Sequence, residues 1–199
     1  MIIILIIILF FSIIIHEVSH GYIAYRLGDP TAKYSGRLTF NPLVHIDLFG
    51  TILIPAFLIL SHSPILFGWA KPVPINPYNF RNPRKDLMWV GFSGPASNLI
   101  IAFILSLIIK ILPSSLITVI LNYGGVINVV LAVINLIPIP PLDGSRILTG
   151  LLPPELAYKY MRIEPFGFII ALLFIILFGS SIIQPVIGII CSFLGLNYL

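Results

Sequence analysis

His16-Glu17-Val18-Ser19-His20 holds the side chains of this chain best suited to chemistry. On a helix, positions i and i+4 lie on one face, so His16 and His20 can grip one metal ion together. Glu17 stands beside the first histidine, where a carboxylate can act as general base on water at the metal. The motif closes an apolar run that begins at the first residue, and Ser12 is the only polar side chain in residues 1–15. Ionisable groups inside lipid are expensive, so three of them together mark a functional site. The competing reading is a chance match to a short pattern. Chance gives no reason for charge inside an apolar helix.

Composition sets the environment of this motif. The chain has 199 residues, 58% hydrophobic and 9% charged, with a mean hydropathy of +1.09. Soluble domains carry about 25% charged residues, so a polytopic membrane protein is expected, with lipid as its main surroundings. One cysteine, Cys191, excludes an internal disulfide and a cysteine zinc site. The net charge of +4 lies in short loops between apolar runs, which fits membrane orientation and not nucleic-acid binding. Residues 1–15 lack a basic start and a small-residue cleavage site, so they read as a retained span.

Five apolar segments follow one another, at about 2–25, 48–66, 88–112, 119–137 and 166–191. A helical span needs about 20 residues. The second segment is short and is interrupted by Pro55 and by Ser61-His62-Ser63-Pro64. Basic residues favour the cytoplasmic side. They cluster at Arg26, Lys33 and Arg37, at Lys71, Arg81, Arg84 and Lys85, and at Arg146, Lys159 and Arg162. All three clusters share one side if the second segment is re-entrant. The expected fold is therefore all-α and polytopic, with four full spans and the N-terminus outside, five spans being the alternative. Ser35 to Pro42 has strand-like character with turn residues at its ends, or is an ordinary loop. A strand there could pair with an extended substrate. One domain over 1–199 is expected, with a core at about 1–152 and a C-terminal helix at about 165–191.

Catalytic zinc usually takes three protein ligands and leaves one position open. Asp143, after Asn135-Leu136-Ile137-Pro138-Ile139-Pro140-Pro141-Leu142, is the best third candidate at membrane depth. The prolines stop the fourth helix, and the broken helix can bring Asp143 back toward the first. Taken alone, Asp143-Gly144 reads better as a plain turn. His45 and His62 lack an i+4 partner and are left off the metal set. Asn98, after Gly94-Pro95-Ala96-Ser97, lies among small residues that allow close helix approach, so packing against the first helix is its expected role.

Together these motifs make a more specific pattern. His16 to Gly21, Gly94 to Asn98, and Asn135 to Gly144 occur in the order and spacing of the site-2 protease family of intramembrane zinc metalloproteases. Asn41-Pro42-Leu43-Val44-His45-Ile46-Asp47 and Gly68-Trp69-Ala70-Lys71-Pro72-Val73-Pro74 resemble its compact prokaryotic branch, which lacks a PDZ or CBS domain. The resemblance covers about residues 12–150. It implies His16, His20 and Asp143 as ligands of one Zn2+ per chain and Glu17 as the base that activates water. It also implies a place near the site for Asn135, as oxyanion donor or as a brace of the broken helix.

The implied activity is endoproteolysis of membrane-protein substrates in or near their transmembrane segments, in a prokaryotic plasma membrane. His16 lies about 22 Å along its helix at 1.5 Å per residue, which sets the site within the bilayer, nearer the cytoplasmic face. Two other function classes compete. A zinc carrier would use the same ligands, but carriers usually show repeated halves and a polar path, and neither is visible. A non-catalytic relative that binds membrane helices would usually have lost Glu17 or a ligand, and all four are present.

Overall fold

The computed structural model describes residues 1–62 and 68–198. Helices and their connections make up these residues, and no strand occurs among them. The first helix, α1 (Ile2–Arg26), is apolar along its length and ends with Arg26 in its last turn, where a cation meets the negative helix terminus. Gly28, at φ +113, turns the chain away, and Asp29 caps the short α2 (Thr31–Tyr34) through the Thr31 amide at 3.1 Å.

Four helical stretches are long and apolar enough to cross a membrane: Ile3–Arg26, Pro83–Ile111, Leu116–Asn135 and Pro154–Leu194. The second of these is α4 (Pro83–Ile111), with proline at its first position. The third is α5 (Leu116–Asn135), opened by a reciprocal Ser115/Thr118 cap. After α5 come α6 (Asp143–Leu151) and α7 (Pro154–Met161). The last crossing continues through α8 (Gly167–Phe178), a widened turn at Gly179–Ile183 and α9 (Gln184–Leu194).

The second apolar segment is re-entrant in form. A widened turn at Leu48–Leu53 leads into α3 (Ile54–Leu60). Its two ends meet: the Trp69 amide donates to the Gly50 carbonyl at 3.1 Å, and Thr51 Oγ1 donates to the Trp69 carbonyl at 2.8 Å. An excursion that returns to its starting level does not cross. Residues 63–67 lie outside the described residues, including Ser63 and Pro64 of the expected interruption and the end of the expected segment.

Loop contacts bring the three basic clusters to one face. Asp29, between Arg26 and Lys33, accepts from the Asn76 amide and from Asn79 Nδ2, each at 2.7 Å. Arg84 donates to the Leu152 carbonyl at 2.7 Å, which ties the second cluster to the third. At the other end of the bundle Asn122 and Asn197 exchange two hydrogen bonds, of 3.0 and 2.8 Å. The chain termini therefore lie opposite the basic face.

The stretch from Ser35 to Pro42 does not form the strand-like element that its composition suggested. Gly36 takes φ +66 and breaks extension. The carbonyls that a ladder would use are taken by side chains: Arg37 binds the Val44 carbonyl, and His45 Nε2 lies 2.9 Å from the Thr39 carbonyl. The main apolar core gathers Ala102, Val129, Val133, Ile187 and Cys191 between α4, α5 and α9. A smaller cluster of Ala24, Phe80 and Val90 lies beneath the site.

Candidate metal centre

His16 and His20 lie one turn apart on α1, and both face α4 and α6. His16 Nε2 is 3.0 Å from Asp143 Oδ2, His20 Nε2 is 3.1 Å from the same oxygen, and the two Nε2 atoms are 3.0 Å apart. All three residues are buried. Among the described residues these three form the only cluster of histidine, cysteine or acidic side chains suited to a metal ion.

The sequence folds this way because two close approaches are left open. Gly94 of α4 faces the imidazoles, and a Cβ there would lie 2.5 Å from the His20 ring and 2.6 Å from His16. Gly144, just after Asp143, presses on the Leu136 and Ile137 carbonyls, and a Cβ there would collide with both. The segment between α5 and α6 therefore folds back tightly, with a cis Pro140-Pro141 bond, and presents Asp143 to α1.

The outer nitrogens of both imidazoles are engaged. His16 Nδ1 is 2.6 Å from Asn98 Oδ1, and His20 Nδ1 is 2.7 Å from the Val90 carbonyl. Both partners are acceptors, so each Nδ1 carries the proton and each Nε2 presents a lone pair. Three acceptors then converge with no donor among them. Zinc bonded at 2.0–2.1 Å in tetrahedral geometry would need donor pairs about 3.3 Å apart. The observed spacing is close to this, and the donor set fits the ion.

A polar chain extends inward from this centre. Asn98 is fully buried and its Nδ2 donates to Asn128 Oδ1 at 2.8 Å, while Asn128 Nδ2 donates to Ser12 Oγ at 2.9 Å and to the Gly124 carbonyl at 2.9 Å. Packing alone was the expected role of Asn98, and its bond to His16 goes further. Asn128 was missed by sequence reasoning, although an asparagine amid the apolar run 116–134 carries the same signal as Ser12 in α1.

Glu17 and Asn135 stand apart from the three converging atoms. One Glu17 oxygen, Oε2, accepts from the Val73 amide at 2.8 Å. Asn135 Nδ2 donates to the Leu131 carbonyl at 2.9 Å, within its own helix. His45 is buried beside Thr39, and His62, at φ 53, closes α3; neither joins the metal cluster. Arg146 reaches within 4.0 Å of Asp143 Oδ1 from the next turn.

The chain matches the family model described as "Peptidase family M50" over residues 4–115 and 110–178. It is 40% identical over 195 residues to "Putative zinc metalloprotease YwhC" of Bacillus subtilis, covering 92% of this chain and 85% of that protein. A protein with the same description, Rip2 of Mycolicibacterium smegmatis, is 29% identical over 168 residues, 83% of this chain and 63% of that protein. MJ0611 of Methanocaldococcus jannaschii, also so described, is 29% identical over 147 residues, 71% of each chain. No solved structure matches.

Proposed function

This chain belongs to peptidase family M50, and from that membership we propose that it is an intramembrane zinc endopeptidase. Its substrates would be membrane proteins cut in or near a transmembrane segment. The observation that carries this reading is the convergence of His16, His20 and Asp143 on one point inside the helical bundle, with Glu17 adjacent in sequence.

His16, His20 and Asp143 would hold the zinc ion. Zinc in this position supplies Lewis acidity toward the scissile carbonyl and makes water nucleophilic at neutral pH. Glu17 acts as general base and carries the water proton to the leaving amide nitrogen. Asn98 and the Val90 carbonyl hold the imidazoles in the tautomer that turns Nε2 inward. Asn135 serves as oxyanion donor or as brace of the helix end, and its bond to Leu131 supports the brace. The polar lining from Ser12 through Asn128 and Asn98 makes the centre hospitable to water at a depth where lipid excludes it.

The catalytic unit is assigned to about residues 1–152, in one domain completed by the C-terminal helix at about 165–191. The basic face is assigned to the cytoplasm of a prokaryotic cell, and the membrane to its plasma membrane.

Zinc content and cleavage of a helix-destabilised membrane peptide test this reading in purified wild type, Glu17→Gln and Asp143→Ala. Wild type is expected to bind about one zinc per chain and to cleave. Glu17→Gln should keep zinc and lose cleavage, and Asp143→Ala should lose zinc. If Glu17→Gln cleaves like wild type, the protease assignment of this residue fails. If wild type binds zinc and cuts no membrane peptide, carriage of zinc or binding of helices takes over.

A further inference from the structure

The stretch Trp69 to Asn79 runs as a strap across the basic end of α1. It is fixed along its length: Trp69 to Gly50, Lys71 N–H to the His45 carbonyl at 2.9 Å, and Asn76 and Asn79 to Asp29. Its middle lies against α1 at Gly21, one residue past His20. A Cβ on Gly21 would lie 2.8 Å from Val73 Cγ1 and 2.7 Å from Leu38 Cδ2, so glycine is what lets the strap come this close. Val73 is buried there, at 5% exposure.

Proline has no amide hydrogen, so in Pro72-Val73-Pro74 the Val73 N–H is the single main-chain donor. That donor goes to Glu17 Oε2 at 2.8 Å, and it is the only hydrogen-bond partner of Glu17 among the described residues. The flanking prolines hold φ on both sides and stiffen the donor. A charge-assisted bond of this kind removes rotamer freedom from a long, half-buried side chain and leaves the second oxygen unbonded.

We propose that the main-chain amide of Val73 is a positioning group for Glu17, holding one carboxylate oxygen so that the other is aimed for proton transfer. The inference rests on Glu17 being the general base. Val73 itself touches no reacting atom. The strap is also the return limb of the re-entrant excursion, so its position and that of the base are linked through Trp69 and Gly50.

Two variants of the full chain separate this role from plain packing. Val73→Ala shortens the buried side chain and keeps the N–H, whereas Val73→Pro removes the N–H. Val73→Ala is expected to keep kcat within about threefold of wild type, and Val73→Pro to lower it at least about tenfold with KM and zinc content unchanged, as loss of an aligned base requires. Equal kcat in the two variants, or a loss of Val73→Pro confined to KM or zinc, overturns the proposal.

Amide hydrogen exchange supplies a second readout that needs no activity and no folded Val73→Pro. Residues 72–74 carry one exchangeable amide, so overlapping peptides report Val73 alone. Glu17→Ala is expected to speed its exchange by about tenfold or more, and an unchanged rate overturns the contact. If Glu17→Gln still cleaves, the general-base reading itself has failed. If Glu17→Gln is inactive while Val73→Pro behaves like Val73→Ala, only the positioning role has failed.

Discussion

His16 Nδ1 and Asn98 Oδ1 lie 2.6 Å apart, joining α1 to α4 across 82 residues of sequence. Asn98 cannot turn its amide around without cost, because its Nδ2 already donates to Asn128 Oδ1. The proton of His16 is thereby held on Nδ1, and Nε2 is left to the metal. Asn98→Ala should lower zinc affinity about 10–100-fold, the usual effect of removing such a partner. Competition with a chromogenic chelator measures this, and wild-type affinity in the variant would show that the bond does not matter.

Gly94 sets the distance between α4 and the metal-facing imidazoles. Gly94→Ala adds one methyl group where a Cβ would lie 2.5 Å from the His20 ring, so the ring or the helix must move. The expected result is loss of most bound zinc with the helical content retained. Metal analysis together with circular dichroism checks it, and full zinc occupancy would mean that the helices part without strain.

The hydrogen bonds from Asp29 and Arg84 carry a topological prediction. Native Cys191 is buried, which leaves a quiet background for engineered thiols. Cysteines at Tyr34, Tyr78 and Tyr158, all exposed, should react with an impermeant maleimide from the cytoplasmic side only. A cysteine at Ser114, in the α4–α5 connection, should react from the other side. Labelling of Tyr34→Cys and Tyr78→Cys from opposite sides would show that the second apolar segment crosses after all.

Asp29 gives stability a pH dependence. Burial alone would push its carboxyl up, but hydrogen bonds from Thr31, Asn79 and the Asn76 amide outweigh burial and hold it below the ordinary 3.8. The folded state thus favours the carboxylate. Its contribution is complete above the unfolded value and is lost as pH falls through the lower folded one. Asp29→Asn should cost about 1–3 kcal/mol at neutral pH and flatten the acid limb of unfolding below about pH 4. Thermal unfolding in detergent between about pH 7 and pH 2 is the measurement; an acid limb unchanged in the variant would assign it to other groups.

Local pattern settled a large part of this protein. Apolar runs of bilayer length, ended by glycine or proline, are decided by neighbours in sequence, so α1, α4, α5 and the last crossing could be read directly. The i, i+4 spacing of His16 and His20 is likewise a property of one helix. Charge placement was legible for the same reason, because basic loops need only be counted. The strand-like reading of Ser35 to Pro42 failed because its carbonyls are taken by Arg37 and His45 from beyond the stretch, which no local pattern reveals.

What tertiary structure alone decided is which distant groups meet. By position Asp143 read as a turn aspartate, and only the folded-back α5–α6 connection brings it within 3.1 Å of both histidines. The partner of His16 lies 82 residues away and that of Glu17 56 residues away. Such pairs depend on how α4 and the strap cross α1, and those crossings are set by where a missing Cβ at Gly94 or Gly21 permits contact. Each polar residue advertised a need for a partner in lipid, and only packing chose the partner.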